Sequence, residues 1–250
     1  MKVTVLGCGS SPGVPAIQHG WGDCDPSNPR NRRTRVSVYV EQGDTAILID
    51  TSPDLRQQAL DNNIKKIDAV LYTHAHADHC HGIDELRSFK RLSGKLVDIY
   101  AAPDTLVRLQ GHFPYIFKGE DLYKPSVAGH EITDPFAVGG IQIKPFTQDH
   151  GDIQTLGFRL GDFAYSTDLH ALDEAAFDAL RGIKIWVVDC VREKPHPTHS
   201  HLEQTLQWIE RVKPDQAYLT HMNHTLDYDA LAAKLPSGVR PAHDGLIIDC

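Results

Sequence analysis

Hydrophobic and polar positions alternate from the start of the chain. Val3 and Val5 of KVTVLG (residues 2–7) mark a first strand, and TRVSVYVE (34–41) a second. In the second, Val36, Val38 and Val40 alternate with Arg35, Ser37 and Tyr39, which puts an apolar face on one side. TAILID (45–50) and AVLYT (69–73) are continuous apolar runs of a length that suits buried strands. Between them, SPDLRQQALDNN predicts a helix with Ser52 as N-cap and Pro53 in the first helical position. IDELRSFKRL predicts the next helix. Farther on, IQIKPF, TLGFRL and FAYST read as strands, LDEAAFDALR as a helix and IWVVD as a central strand. SHLEQTLQWIERV sets Leu202, Leu206 and Ile209 on one helix face, and Ser200 with Glu203 has capping-box spacing. QAYLT as a strand, YDALAAKL as a helix and LIID as a last strand complete the pattern. Strands come first in a group and then alternate with helices, and this order occurs twice. The expectation is one α/β domain over residues 1–250, with two sheets packed together and helices outside.

Composition narrows the function classes. A chain of 250 residues with 41% hydrophobic and 23% charged residues can bury a sizeable core. Its formal charge of -8 argues against a general nucleic-acid binder, which relies on basic side chains against phosphates. An anionic substrate remains compatible, because bound divalent cations reverse a local field. The five cysteines, Cys8, Cys24, Cys80, Cys190 and Cys250, are scattered and form no CxxC pair, so a reducing compartment and no disulfide framework are expected. The opening MKVTVLGCGSSPGVP reads as a strand and a Gly-rich turn rather than a signal peptide, and no apolar run reaches membrane-spanning length. A cytoplasmic enzyme with no membrane partner is the expectation.

The fifteen histidines change the picture. YTHAHADHCHG (72–82) crowds His74, His76, Asp78 and His79 onto a turn that follows a buried strand. If the backbone stays extended, His74 and His76 project to one side, and Asp78 and His79 face a second point where the chain turns into a helix. Imidazole and carboxylate are the ligand types of zinc, manganese and iron. The turn then supplies half of a two-metal site. The other half must come from distant strand ends, where His150, Asp168 and His221 each follow a strand-like run. His81 and Cys80 are expected to be a solvated side chain and a small core residue. His19, His112, His130 and His170 are likewise expected to hold no metal.

The H-x-H-x-D-H turn followed by separate His, Asp and His at strand exits resembles the metallo-β-lactamase superfamily, with its four-layer αββα sandwich. The resemblance covers nearly the whole chain. It implies that His74, His76 and His150 hold one divalent ion and Asp78, His79 and His221 the other. Asp168 would bridge both, together with a water or hydroxide. Asp50, ending AILID, would orient the turn. Asp168 stands where zinc β-lactamases commonly carry Cys, and His76 where iron-dependent members carry an acid, so the hydrolytic binuclear branch is indicated.

The segments GSSPGVP, WGDCDPSNPRNRRTR, LIDTSPDLR, HSHLEQTL, LTHMNH and AHDGL resemble the cyclic-phosphate phosphodiesterases of the carbon–phosphorus lyase pathway. That resemblance implies a binuclear phosphodiesterase, loaded with zinc or manganese, acting on small cyclic or nucleotide-like diesters through a metal-bridging hydroxide. It also suggests a homodimer with no stable nucleic-acid partner. A tRNA 3′-processing nuclease, a thioesterase of the same superfamily and a non-catalytic metal- or nucleotide-binding protein are the alternatives. One departure stands out. Where the family carries three cysteines for a structural zinc, this chain has Asp23, Asp25 and Asn28 around Cys24, so such a zinc is not expected, and His224 is read as a packing residue, with a substrate-side histidine as the alternative.

Asp78 and His199 are the candidate catalytic side chains. His199 precedes a helix whose N-terminus favours anions, and it could protonate a departing alkoxide or hold the phosphate. The alternatives are a solvent-facing His199 in the polar HPTHSH loop, or His201 in its place. Arg30, Arg32, Arg33 and Arg35 could approach a phosphate, although a charge run is more often a solvated face. Asp244 is assigned no catalytic role.

Overall fold

Period-two alternation decides which way each strand faces. The computed structural model describes residues 1–250. Fourteen strands form two sheets: β1 (Lys2–Gly7), β2 (Ser37–Gln42), β3 (Thr45–Ile49), β4 (Ala69–Leu71), β5 (Val97–Ala101), β6 (Val127–Glu131), β7 (Phe136–Val138), β8 (Ile141–Asp149), β9 (Gln154–Leu160), β10 (Phe163–Ser166), β11 (Ile185–Asp189), β12 (Gln216–Thr220), β13 (Val239–Pro241) and β14 (Leu246–Asp249). The helices are α1 (Leu55–Asp61), α2 (Ala77–Cys80), α3 (Leu86–Ser93), α4 (Pro103–His112), α5 (Pro114–Lys118), α6 (Glu174–Leu180), α7 (Leu202–Val212) and α8 (Tyr228–Ala232). One sheet runs β14-β1-β2-β3-β4-β5-β6 and the other β13-β12-β11-β10-β9-β8-β7. Each has three antiparallel pairings followed by three parallel ones, read from β14 in the first sheet and from β7 in the second. The twice-repeated order of the sequence is therefore one sheet per repeat, with β14 returning from the C-terminal end to the first sheet.

Val3, Val5, Val38, Val40, Ile47 and Ile49 pack with Phe158, Leu160 and Phe163 of the other sheet. Alternate residues of the first sheet, Leu6, Tyr39, Ala46 and Leu48, pack with Leu55, Leu86, Phe89 and Leu106 of the helices. Ala176, Ala179, Leu180 and Ile209 of α6 and α7 join the larger cluster from the second sheet's side. The result is the expected αββα sandwich. Because helices cover the outer faces, the "polar" face of β2 is buried as well. Ser37 gives its hydroxyl to Asp50 O at 2.9 Å, and Tyr39 donates to Lys66 O at 2.8 Å.

Several expectations need correcting. Ser52 does not cap α1, which starts at Leu55 with Asp54 in the cap position. Its hydroxyl instead bonds Gln58 Oε1 and the Asp54 amide, making a turn that precedes the helix. Ser200 does not cap α7 either. His201 occupies that position, while Ser200 Oγ donates to the buried Asp189. β2 begins at Ser37 rather than Thr34. Elements β5, α4, α5, β6, β7 and β13 lie outside the set predicted from hydrophobic pattern.

The arginine run is not a single solvated face. Arg30 and Arg32 are exposed, over the rings of Tyr228 and Trp21. Arg35 pairs with Asp54 at 3.0 Å. Arg33 is buried, and its guanidinium donates to Asn223 O at 3.1 Å and Leu226 O at 2.6 Å. It pins the residue 31–33 strip to the turn that follows His221. Cys24 donates to His224 O and Leu226 O in the same seam, and His224 stacks on His19 at 4.2 Å, the packing role expected of it.

Asp244 joins the N-terminal loop to the C-terminal turn. Its carboxylate accepts from the amides of Cys8 at 3.1 Å and Thr34 at 2.7 Å, and from Thr34 Oγ1 at 2.6 Å. Burial outweighs these bonds and pushes the carboxyl up to about 6 from its ordinary 3.8. The folded protein therefore binds this proton more tightly than the unfolded chain does. Its contribution to stability is greatest at low pH and is lost as pH rises from about 4 to about 6, by about 3 kcal/mol in all. Denaturant titrations of wild type and Asp244→Asn across that range should show the slope in the first and its loss in the second. Equal slopes would remove Asp244 as the source.

Candidate metal centre

The site is assembled from strand exits. Asp50 follows β3, Asp168 closely follows β10 and His221 follows β12, and all three have left-handed backbone with φ of 61°, 52° and 59°. Such φ values are uncommon outside glycine, and here each bends a strand end so that its side chain turns across the sheet edge. The turn after β4 supplies His74, His76, Asp78 and His79, with His76 in extended backbone at the start of α2 (φ -70°, ψ 154°). His74 and His76 come together with ring centroids 4.4 Å apart. All seven expected ligands converge. His74, His76, His150 and Asp168 form one cluster, and Asp78, His79, Asp168 and His221 another, each with its candidate ligand atoms within 4.8 Å of one another.

Asp168 belongs to both clusters through different oxygens. Oδ1 lies 3.1 Å from His79 Nε2 and 3.2 Å from His221 Nε2. Oδ2 lies 3.5 Å from His150 Nε2 and 3.7 Å from His74 Nε2. Asp78 Oδ2 closes the second cluster, 3.4 Å from His79 Nε2 and 3.6 Å from His221 Nε2. His74 Nε2, His79 Nε2, His221 Nε2 and Asp78 Oδ2 are buried without a hydrogen-bond partner. Buried polar atoms are nearly always paired, so four orphans around one carboxylate fit divalent cations.

Protonation follows the same division. Burial lowers His74, His76 and His150, leaving neutral imidazoles with free lone pairs. Burial opposes a charge on His221 too, but Asp168, Asp189 and Asp78 push it up to about 9. His79 is likewise raised, its burial overcome by Asp168, Asp78 and Asp50. Asp168, despite its burial, is held well below the usual carboxylate range by His221, His79 and His74. A cation entering the second cluster would displace those two imidazole protons.

A further shell of bonds aims these groups. His79 Nδ1 donates to Asp50 Oδ2 at 2.7 Å, and Asp50 also accepts from the Thr73 amide and hydroxyl at 2.8 and 2.7 Å. That is the orienting role expected of Asp50. His150 Nδ1 donates to Thr198 O at 2.7 Å. The loop that carries His199, after β11, thus fixes the tautomer of His150 at the end of β8 in the same sheet. His199 enters the site with its Nε2 4.0 Å from Asp168 Oδ2, its ring stacked on His221 at 4.8 Å. His201 stays outside these clusters, at the start of α7.

Asp189 is the site residue that sequence reasoning missed. It is fully buried, with Oδ1 3.4 Å from His221 Nδ1 and 3.7 Å from His199 Nδ1. Its Oδ2 accepts from the Ser200 amide at 3.0 Å and hydroxyl at 2.8 Å. The available signal was position: Asp189 ends the apolar strand IWVVD as Asp50 ends AILID.

The sequence and the fold are matched in known proteins. Residues 45–222 match the beta-lactamase superfamily domain. The chain belongs to that superfamily. A crystal structure of a diphosphatase from the PhnP family superimposes with a TM-score of 0.93 at 39% identity, covering 100% of this chain and 97% of that one. An octanoyltransferase of Porphyromonas gingivalis is 31% identical over 260 residues, covering 100% of this chain and 52% of the relative. The chain thus spans about half the length of that curated protein. A ribonuclease Z of Azobacteroides pseudotrichonymphae is 30% identical over 121 residues, 47% of this chain and 36% of its own length. Superfamily membership and the His/Asp clusters fit a site for divalent metal ions. No helix is long and apolar enough to cross a membrane.

Proposed function

We propose that the chain is a binuclear phosphodiesterase that hydrolyses small cyclic or nucleotide-like phosphodiesters. The observation that carries this reading is Asp168, whose two oxygens each face a separate ligand cluster. His74, His76, Asp168 and His150 would hold one divalent ion, and Asp78, His79, Asp168 and His221 the other, with zinc or manganese suited to the set. When bound, two such ions lower the pKa of water and offset charge on a phosphoryl group.

The chain's own residues supply the rest. Asp168 sets the separation of the two clusters. Asp50 and Asp189 hold the imidazoles of His79 and His221 in the orientation that presents Nε2 to the site. Asp78 contributes a carboxylate oxygen with no competing hydrogen bond. His199 is the proton donor to the leaving oxygen. Its Nε2 faces the shared carboxylate, and Asp189 Oδ1 lies 3.7 Å from its Nδ1. The same reading places the protein in the cytoplasm as a homodimer, with a small diester rather than a nucleic acid as substrate and without a membrane partner.

The test is an assay of metal-loaded protein against four substrates: a bis-aryl phosphate, a ribose cyclic phosphate, a precursor tRNA and a glutathione thioester. Hydrolysis of the first two is expected. Cleavage of the tRNA alone would favour the nuclease suggested by the ribonuclease Z relative, and turnover of the thioester alone would overturn the diesterase. His199→Ala should slow diesters with alkyl leaving groups by about a hundredfold or more and aryl diesters far less. Equal slowing of both would exclude His199 as the proton donor.

A further inference from the structure

Helix α3 and the loop after α5 enclose a cavity of about 410 Å³, within the size range of small-molecule sites. Arg87, Lys90, Arg91 and Lys124 line it together with Tyr115 and Tyr123. None of these residues belongs to the hydrolytic centre. The chain carries a net charge of -8, so four cations around one cavity run against its overall balance. Glu120 is the one carboxylate in the lining, and Arg87 is bonded to Asp84. Lys90, Arg91 and Lys124 have no ion-pair partner.

The sequence of α3 is arranged for this. Leu86 and Phe89 are buried under the first sheet, while Arg87, Lys90 and Arg91 sit three and four residues apart on another face. Like charges at those spacings disfavour a helix, a cost that a bound anion would remove. Across the cavity, a tight turn holds Tyr123 and Leu122 outward. Glu120 N donates to Tyr123 O at 2.9 Å, and the turn opens at Gly119 with φ 75°. A Cβ on Gly119 would lie 2.3 Å from Tyr123 O, so only glycine admits this closure. Leu122 is 94% exposed and Tyr123 63% exposed, an apolar and aromatic surface left uncovered beside the cations. A flat ring stacks on such a surface, and phosphate oxygens match Lys90, Arg91 and Lys124.

We propose that this cavity binds a nucleoside phosphate, with the base against Tyr123 and Leu122 and the phosphates on Lys90, Arg91 and Lys124. The site is separate from the hydrolytic centre, and its occupancy does not depend on the substrate assigned there.

The probe is a fluorescent, non-hydrolysable nucleotide, mant-adenosine α,β-methylene diphosphate, titrated by anisotropy into the full metal-loaded chain. Saturable binding is expected below about 1 mM. The Lys90→Glu/Arg91→Glu double variant should weaken it by about tenfold or more, because two charge-assisted contacts become repulsive. Tyr123→Ala should weaken the nucleotide while leaving inorganic phosphate competition unchanged. His76→Ala, which damages the hydrolytic centre, should bind the probe as wild type does. Arg91, Tyr123 and His76 are exposed and Lys90 is half-buried, and unchanged circular dichroism and melting would verify the folding of the variants. Wild-type affinity in the double variant would overturn the proposal. So would loss of binding in His76→Ala, which would place the probe at the hydrolytic centre. Competition by inorganic phosphate as strong as by unlabelled nucleotide, or binding of single-stranded RNA with no binding of the mononucleotide, would overturn it too.

Discussion

Asp168→Asn is expected to lower phosphodiester hydrolysis by about a thousandfold or more, with loss of at least one of two bound metal equivalents. The substitution keeps the side chain's shape. It replaces one of two oxygens with an N–H group that cannot ligate a cation, and it removes the negative charge. Oδ1 serves His79 and His221 and Oδ2 serves His74 and His150, so whichever oxygen is lost leaves one cluster a ligand short. The fold should survive, because Thr155 Oγ1 is bonded to the backbone carbonyl of Asp168 and not to its carboxylate. Metal content by elemental analysis, read beside hydrolysis of a bis-aryl phosphate, separates the outcomes. Full activity with Asn at this position would end the two-cluster account.

Trp186→Ala is expected to cost about 3–5 kcal/mol of folding stability, a large part of a domain's usual reserve. Trp186 is the largest fully buried side chain, in β11 on the face that carries Arg159 toward α6. Its Nε1 donates to Ser166 Oγ at 3.0 Å, so truncation leaves both a cavity and an unpaired hydroxyl. The damage should reach the site, because β11 ends at Asp189 and β10 at Ser166, two residues before Asp168. Trp186→Phe fills most of the space and should cost less than Ala. Urea titration gives both numbers. A loss below about 1 kcal/mol for Ala would mean that this packing contributes little.

Site residues and supporting residues differed in how legible they were. His74, His76, Asp78 and His79 stand in one turn, so their chemistry is local and could be read directly. His150, Asp168 and His221 were legible because each ends an apolar run, and a strand exit in a sandwich opens at the sheet edge. Asp189 ends such a run too, but it is not one of the ligand positions that the superfamily resemblance carries. Its role depends on two histidines that follow it by 10 and 32 residues, and no spacing rule connects them. Arg33 was misread for a similar reason. A run of arginines is usually solvated, and only the turn at Asn223–Leu226, nearly two hundred residues away, supplies the carbonyls that bury this one.

Ser52 and Ser200 show a related limit. Each has the residue type and spacing of a helix cap, yet each spends its hydroxyl on a partner that tertiary packing brings closer: Gln58 for Ser52 and Asp189 for Ser200. β5 and β6 were passed over because they lack a long apolar run. β5 alternates buried and half-buried residues, and β6 keeps one buried residue at an exposed edge. Parallel pairing to neighbours already in place is what makes them strands.

By itself the sequence determined the strand faces, the four-layer sandwich and the residue types that meet a metal. Periodicity and ligand chemistry are properties of short segments, and they survive without knowledge of the rest. Only the tertiary structure decided that Asp168 turns one oxygen to each cluster, that Asp189 lies between two histidines, and that Thr198 carbonyl fixes His150. Those depend on distances of a few ångströms between residues far apart in the chain, and such distances are set when strands pair and sheets pack, not along one segment.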